Sequence, residues 1–303
     1  MFETPIVLCI FNRPETTRRV LRVLGAVKPA LLMIVADGPR KDRPDDGALC
    51  ENAQALVRSA VTWPAEVGWN VSSENLGCRK RIQSGLDWVF DRVDSAIILE
   101  DDCVPDPSFF PFCRELLQRY RDEPRIGIVS GTNPLVERAA EPRSYLYSRY
   151  PLVWGWATWR RTWALYDRDI DGWSDLSTAN WLETFLDSPL ASAYWRAIFS
   201  SARGGADTWD YALVYSLWRA GALAIHPQVN TVRNIGFESQ ATHTRVPTLA
   251  ANLPERPLTF PLKHPGRVER NADYDAALEK FLFSGEPQGL LSRARESIRR
   301  GRA

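Results

Sequence analysis

Short apolar runs and amphipathic segments alternate along the first 130 positions of the chain. The apolar runs at residues 5–11, 31–36, 96–99 and 126–129 are continuous and mostly rich in β-branched side chains, as in strands that are buried on both faces of a parallel sheet. In segments between these runs, apolar residues recur every three to four positions, which is typical of helices that cover a sheet. The pattern predicts an α/β fold with a Rossmann-like open mixed sheet and helices on both faces.

Polar side chains follow three of the predicted strands at the point where each strand ends. Asn12 and Arg13 follow the first strand, Asp37 follows the second, and the acidic triplet at residues 100–102 follows a later one. In open α/β sheets, ligands bind beyond the carboxyl ends of the strands. The sequence therefore predicts one ligand site that is built from these three connections.

The acidic triplet consists of Glu100, Asp101 and Asp102. Three consecutive carboxylates repel one another unless a positive charge lies beside them. Mn²⁺ and Mg²⁺ are hard cations that bind to one or two carboxylates together with phosphate oxygens of a substrate. An ordinary acidic turn is the alternative, but the buried strand before the triplet places it at the ligand-binding edge and favours a metal site.

Two common phosphate-binding motifs are absent from the sequence, which limits the ways in which the site could bind a phosphate. Neither G-x-G-x-x-G after the first strand nor G-x-x-x-x-G-K-[ST] occurs, so a metal-bridged diphosphate remains. Asn75, Arg79 and Arg81 lie at the start of a predicted helix, where a phosphate also interacts with the helix dipole, although charge runs are usually solvated surface. Asp37 is suited either to accept a hydrogen bond from a nucleobase NH or to stabilise its own Asp-Gly-Pro turn.

Composition and charge exclude several classes of protein. The 303 residues include 38 Lys plus Arg and 37 Asp plus Glu, and the net charge of +1 gives no global electrostatic basis for nucleic-acid binding. No apolar run reaches the roughly 18 residues of a transmembrane helix, and an acidic residue stands near the start, so we expect a cytoplasmic protein. The arginines at 293–302 predict either a solvated end or peripheral contact with the inner membrane face.

Nine of the twelve tryptophans fall between residues 154 and 218. Most of them are expected to be core residues. Trp154, Trp156 and Trp209 adjoin other candidate site residues, and they are therefore candidates for stacking against a sugar.

The segments P-I-V-L-C-I-F-N-R-P, V-A-D-G, N-L-G and I-L-E-D-D together resemble the glycosyltransferase A fold, most closely the family of N-acetylglucosaminyltransferase I and its bacterial relatives. The resemblance extends from residue 5 to about residue 244. It implies a catalytic domain at 1–244, with a nucleotide-binding half at 1–132 and an acceptor and base half at 133–244. Residues 245–303 would form a C-terminal extension with a basic tail.

The resemblance also implies roles for individual residues. The triplet would bind manganese mainly through Asp102, supported by its two neighbours, and Asp37 would contact uracil. A loop at 234–244 would close over the nucleotide sugar. The remaining matches are Gly155 and Trp156 near donor and acceptor, Trp209 and Asp210 as the pair that supplies the catalytic base, and His243 on the metal or diphosphate.

The predicted function is that of a metal-dependent, inverting glycosyltransferase that moves a sugar from a nucleotide sugar, most simply a UDP sugar, to a hydroxyl of a glycan or lipid-linked acceptor. Such a reaction belongs to surface-glycan synthesis. Asp210 has an alternative explanation, because an acid near the start of a helix predicted at 207–221 stabilises that helix. The alternatives for the whole protein are a non-catalytic carbohydrate-binding protein and a sugar nucleotidyltransferase. Nucleotidyltransferases use a glycine-rich loop to bind a triphosphate, and this sequence lacks such a loop.

Overall fold

The computed structural model describes residues 1–135, 143–236 and 253–283. Its strands are β1 (Ile6–Ile10), β2 (Leu31–Ala36), β3 (Glu66–Val71), β4 (Ser95–Glu100), β5 (Cys103–Pro105), β6 (Ile126–Ser130), β7 (Tyr145–Ser148), β8 (Trp156–Trp159), β9 (Leu223–Pro227) and β10 (Val232–Asn234). Its helices are α1 (Pro14–Val27), α2 (Asp46–Ala60), α3 (Gly77–Phe90), α4 (Phe109–Arg119), α5 (Arg160–Trp163), α6 (Trp173–Thr178), α7 (Trp181–Phe185), α8 (Pro189–Arg203), α9 (Asp210–Arg219) and α10 (Ala272–Phe283).

Eight strands form one mixed sheet in the order β3-β2-β1-β4-β8-β6-β9-β7. Strands β1 to β4 are mutually parallel, and β8 lies antiparallel between β4 and β6. Strand β9 runs parallel to β6, and β7 closes that edge in the antiparallel direction. Strands β5 and β10 form a separate antiparallel pair. The structure is therefore the Rossmann-like open mixed sheet that the sequence predicts.

The alternation of side chains along β1 shows why helices are needed on both faces of this sheet. Ile6, Leu8 and Ile10 pack in a core with residues of α1, α2 and α4. Val7 and Cys9 point the other way, into a core that contains residues of α3 and α9. Successive side chains of a strand point to opposite faces, so a run that is apolar throughout must be covered twice.

A third core lies beside the sheet and is rich in aromatic rings. Trp173, Trp195 and Trp218 are buried there, together with apolar side chains of α10. This burial confirms that most of the tryptophans are packing residues. Helix α10 is joined to the strand side of this core by Asp275, which accepts hydrogen bonds from Ser148 and Arg270. The division of the chain at residues 132 and 244 stays a prediction.

Near this core, a buried histidine predicts a specific loss of stability in acid. His226 has no exposed surface; its Nε2 lies 2.7 Å from the carbonyl oxygen of Tyr150, and its Nδ1 lies 3.1 Å from the hydroxyl of Tyr274. Burial lowers the pKa of His226 from 6.5 to about 4. The unfolded chain therefore takes up a proton near pH 6.5 and the folded chain only near pH 4, so stability is lost as the pH falls through that window.

The expected loss from His226 is about 3 kcal/mol of unfolding free energy between pH 7 and pH 4. Asp275 has a pKa raised by burial to about 6 and acts in the opposite direction, so the wild-type slope alone is ambiguous. The measurement is urea unfolding of wild type and His226→Gln at pH 7, 5 and 4. The two proteins should converge in stability as the pH falls, and a constant difference would contradict the assignment.

Candidate active site

The carboxyl ends of β1, β2 and β4 lie side by side at one edge of the sheet. In the register of these parallel strands, Ile10 is opposite Ala36, and Cys9 is opposite Glu100. The connections that follow the three strands therefore leave the sheet at the same level. The backbone NH of Phe11 donates a hydrogen bond of 3.3 Å to Asp101, which joins the first connection to the acidic triplet.

Arg13 supplies a positive charge to the triplet. Its guanidinium donates one hydrogen bond to Asp101 and another, of 2.8 Å, to Oδ2 of Asp102. Asp101 is 2% exposed, so its charge is compensated within the protein. The guanidinium of Arg13 thus binds two carboxylates of the predicted ligand site, and a contact between Arg13 and a ligand stays a prediction.

The charge of Asp210 acts on the triplet although 108 positions separate Asp210 from Asp102. Burial, followed by the charge of Asp102, raises the pKa of Glu100 to about 8, and the charge of Asp210 adds to this rise. The pKa of the Cys78 thiol is raised by burial and then by the charges of Glu100, Asp210 and Asp207. Helix α9 begins at Asp210, three residues after Asp207, whose carboxylate contacts the start of α3.

The oxygen donors of the triplet fit a hard divalent cation that takes one ligand from the protein. Within the described ranges, no three His, Cys, Asp or Glu side chains form a complete metal cage. Asp102 retains 13% side-chain exposure, and the Cys103 thiol lies 3.5 Å from its Oδ1. Mg²⁺-type cations are usually held by one or two carboxylates and by substrate phosphates, so Asp102 suits that arrangement.

Asp37 links the end of β2 to the turn before α3. Its Oδ1 accepts hydrogen bonds from the backbone NH groups of Gly38 and Leu76 at 2.9 and 3.0 Å, and its Oδ2 accepts one from the Asn75 amide at 2.9 Å. The side chain is 6% exposed, and burial raises its pKa. The turn-stabilising role is therefore present, and contact with a nucleobase stays a prediction for both Asp37 and Asn75.

Asn12 belongs to a small polar cluster beside the first connection. Its amide donates a hydrogen bond of 2.7 Å to Asp46, which also accepts two from the guanidinium of Arg40. The guanidinium of Arg40 lies over the ring of Phe11. The cluster ties the loop before α2 to the connection between β1 and α1. A contact between Asn12 and a substrate stays a prediction.

The start of α3 differs from the predicted phosphate site. The first-turn NH groups of Cys78 and Arg79 donate to the carboxylate of Asp207, at 3.3 and 2.8 Å. The guanidinium of Arg79 donates to the carbonyl oxygens of Ala202 and Arg168. A carboxylate of the chain occupies this helix terminus in the structure, and a phosphate bound by Arg79 stays a prediction.

Arg81 is a buried side chain and not part of a solvated charge run. It is 6% exposed and donates to Oδ1 of Asn70, and burial lowers its pKa. Its role in binding a ligand stays a prediction.

Trp156 and Trp209 lie in the core, stacked on each other with ring centroids 5.5 Å apart. They are 1% and 4% exposed, so a sugar-stacking platform built from their ring faces is not present. Gly155 has a φ of +63° and accepts a hydrogen bond of 2.7 Å from the NH of Gly131. Contacts between these three residues and a substrate stay predictions.

The segment that leads into the predicted closing loop starts against Asp102. The NH of Ile235 donates a 2.9 Å hydrogen bond to the carbonyl oxygen of Asp102, and Gly236 lies directly over its carboxylate. His243 and residues 237–244 lie outside the described residues. The contacts of Gly236 and Asp207 carry no sequence signal, because neither residue belongs to a motif that points to them.

Comparisons with known proteins add little to this geometry. No family model matches the chain, and no curated protein matches it. Among solved structures, it is similar to HddC from Yersinia pseudotuberculosis complexed with GMP-PN, with 9% identity and a TM-score of 0.29 over 49% of this chain and 60% of that one. It is also similar to a protein described as a glucose-1-phosphate thymidylyltransferase from Bacillus anthracis in complex with a sucrose, with 10% identity and a TM-score of 0.33 over 54% of this chain and 74% of that one.

Proposed function

We propose that the chain is a glycosyltransferase of the glycosyltransferase A type, which moves a sugar from a nucleotide sugar to an acceptor hydroxyl with the help of Mn²⁺ or Mg²⁺. One observation carries the proposal. The acidic triplet follows β4 at the ligand-binding edge of the sheet, where Arg13 of the neighbouring connection donates hydrogen bonds to Asp101 and Asp102. This geometry supports Asp102 as the proposed cation ligand, and Asp210, at the start of α9, is the proposed base.

The triplet and Arg13 form the diphosphate end of the proposed site. Asp102 would hold the cation, and a bound cation offsets the negative charge that a leaving nucleoside diphosphate gains, by several kcal/mol. Arg13 neutralises Asp101 and shares Asp102, which lowers the repulsion among the three carboxylates.

Asp210 is the proposed general base. A hydroxyl is a weak nucleophile at neutral pH, and a carboxylate that takes its proton can contribute about 10² to 10⁴ in rate. The hydroxyl of Thr208 donates to Oδ1 of Asp210 and orients the carboxylate. A single base, with no second carboxylate needed as nucleophile, favours inversion at the anomeric carbon.

The nucleotide and the acceptor are the less defined parts of the proposal. The nucleobase is proposed to bind beside Asp37 and Asn75. UDP is the proposed nucleotide because of the resemblance at Asp37. The proposed acceptor is a glycan or a lipid-linked sugar. No helix in the described ranges has the length and apolar character needed to cross a membrane.

The test is thermal unfolding with UDP, GDP or TDP, each in Mn²⁺ and in EDTA. A ligand at 100 times its dissociation constant stabilises a protein by about 2.7 kcal/mol. We expect stabilisation by UDP in Mn²⁺ and its loss in EDTA. Absence of metal-dependent nucleotide stabilisation would contradict the proposal and favour a carbohydrate-binding protein.

A second assay separates transfer from nucleotidyl chemistry. The connection between strand β1 and helix α1 consists of Phe11, Asn12 and Arg13. It contains no glycine-rich loop that could bind a triphosphate. Incubation with a nucleoside triphosphate and a sugar phosphate should therefore release no pyrophosphate. Its release would show that the chain is a nucleotidyltransferase.

A further inference from the structure

Asp207 connects two parts of the site that are far apart in the sequence. Its carboxylate accepts hydrogen bonds from the NH groups of Cys78 and Arg79 at the beginning of α3. Gly77 precedes them with a φ of +79°, and a side chain there would start 3.0 Å from the Asp207 carboxylate. The approach of this carboxylate to α3 therefore depends on a glycine in a left-handed conformation.

The sequence predicts a helix that begins at residue 207, and Asp207 would be the cap of that helix. Helix α9 instead begins at Asp210, and its N-cap residue Trp209 makes no side-chain capping bond. Asp207 caps α3 from a segment 129 positions later in the chain. A carboxylate is favourable at a helix N-terminus, because it satisfies free NH groups and interacts with the helix dipole.

Other contacts hold the connection between α8 and α9 against α3. The guanidinium of Arg79 donates a hydrogen bond of 3.2 Å to the carbonyl oxygen of Ala202, near the end of α8. The hydroxyl of Tyr166 donates a hydrogen bond of 3.1 Å to the carbonyl oxygen of Trp209. Tyr166 is in turn fixed by the amide of Gln83, on α3, at 2.8 Å. Helix α3 therefore holds both ends of the short segment 207–210.

We propose that Asp207 is a positioning residue for the general base. Asp207 fixes the start of the segment on α3 and Thr208 bonds to Asp210, so the place of the base depends on the anchor three residues before it. The inference rests on the proposed function, since it assigns a role in that same reaction.

The experiment compares wild type with Asp207→Asn, which keeps the side-chain shape but loses the charge and one of the two acceptor oxygens. The probes are UDP with Mn²⁺ for binding, measured by calorimetry, and release of UDP from UDP-N-acetylglucosamine and other UDP sugars for turnover. A displacement of about 1 Å at a reacting group can cost about 10² in rate, so we expect kcat to fall about tenfold to a hundredfold. The KM for the donor and the Kd for UDP should stay within about twofold of wild type, because Asp207 binds no nucleotide in this scheme.

Ser188→Ala is the matched control. Ser188 caps α8 with a hydrogen bond of 3.2 Å from the NH of Ala191, so its loss weakens a helix terminus that does not hold Asp210. Its kcat should remain at the wild-type value. Asp207→Glu, which keeps the carboxylate but lengthens the side chain by one methylene, serves if Asp207→Asn does not fold: it can still bond to the NH groups of α3 but displaces segment 207–210, so its kcat should also fall.

Two results would overturn the inference while leaving the proposed function intact. One is an unchanged kcat in Asp207→Asn; the other is tighter UDP binding in that variant, which would mean that the α3 terminus is a phosphate site blocked by Asp207. If wild type itself neither binds UDP nor releases it from any donor, the proposed function fails, and the inference fails with it.

Discussion

Asp210→Asn should reduce sugar transfer by at least about 10² while UDP binding with Mn²⁺ stays near wild type, because loss of a general base removes proton abstraction and no nucleotide contact. Asn has nearly the shape of Asp and can still accept the hydrogen bond from Thr208, so the local structure is retained. The substitution removes one negative charge beside Glu100. Turnover and nucleotide affinity are measured separately, by UDP release from the donor and by calorimetry.

Asp273→Asn is the control for this prediction. Asp273 lies in the first turn of α10 and is exposed, as Asp210 lies in the first turn of α9. Both substitutions remove an acid from a helix N-terminus, which changes stability by about 0.3 to 1 kcal/mol. Only Asp210→Asn should lose turnover. Transfer within about threefold of wild type in Asp210→Asn would assign Asp210 to helix stabilisation and place the base elsewhere.

The strands at the site could be predicted from the sequence because each is an uninterrupted apolar run with a polar stop. The run at 31–36 coincides with β2, and the run at 5–11 contains β1. Parallel strands with polar residues at their carboxyl ends must present those residues at one edge of the sheet. The convergence of residues 11–13, 37 and 100–102 therefore followed from periodicity alone.

The partners of the polar side chains could not be predicted in the same way. Arg13 pairs with carboxylates about 90 positions away, and Asp207 caps a helix from an earlier part of the chain. Spacing along the chain predicts a phosphate site at the start of α3 and an acidic cap at the start of α9. Such spacing contains information only about residues that are neighbours in sequence. Because α3 packs beside the segment before α9, Asp207 lies at the start of α3 and not at the start of α9.

The burial of Trp156 and Trp209 could not be predicted for a related reason. A tryptophan next to a motif residue has the same sequence signature whether its ring faces a ligand or another ring. Trp156 lies in β8, and its side chain points to the face of the sheet that α3 and α9 cover, where it stacks on Trp209. The direction of a side chain from a central strand depends on register, which the sequence did not determine for β8.

Gly236→Ala is expected to weaken Mn²⁺-dependent UDP binding by about 10- to 100-fold, the usual effect of displacing a group that orients a metal ligand. Pairing of β10 with β5 places residue 236 over Asp102. A Cβ at this position would lie 2.2 Å from Oδ2 and 3.0 Å from Cγ of Asp102, so the carboxylate would have to rotate and lose its 2.8 Å hydrogen bond from Arg13. Gly266→Ala is the matched control, because a Cβ there meets nothing within 4 Å. Calorimetry with UDP in Mn²⁺ and in EDTA gives the comparison, and wild-type affinity in Gly236→Ala would mean that the orientation of Asp102 does not matter for nucleotide binding.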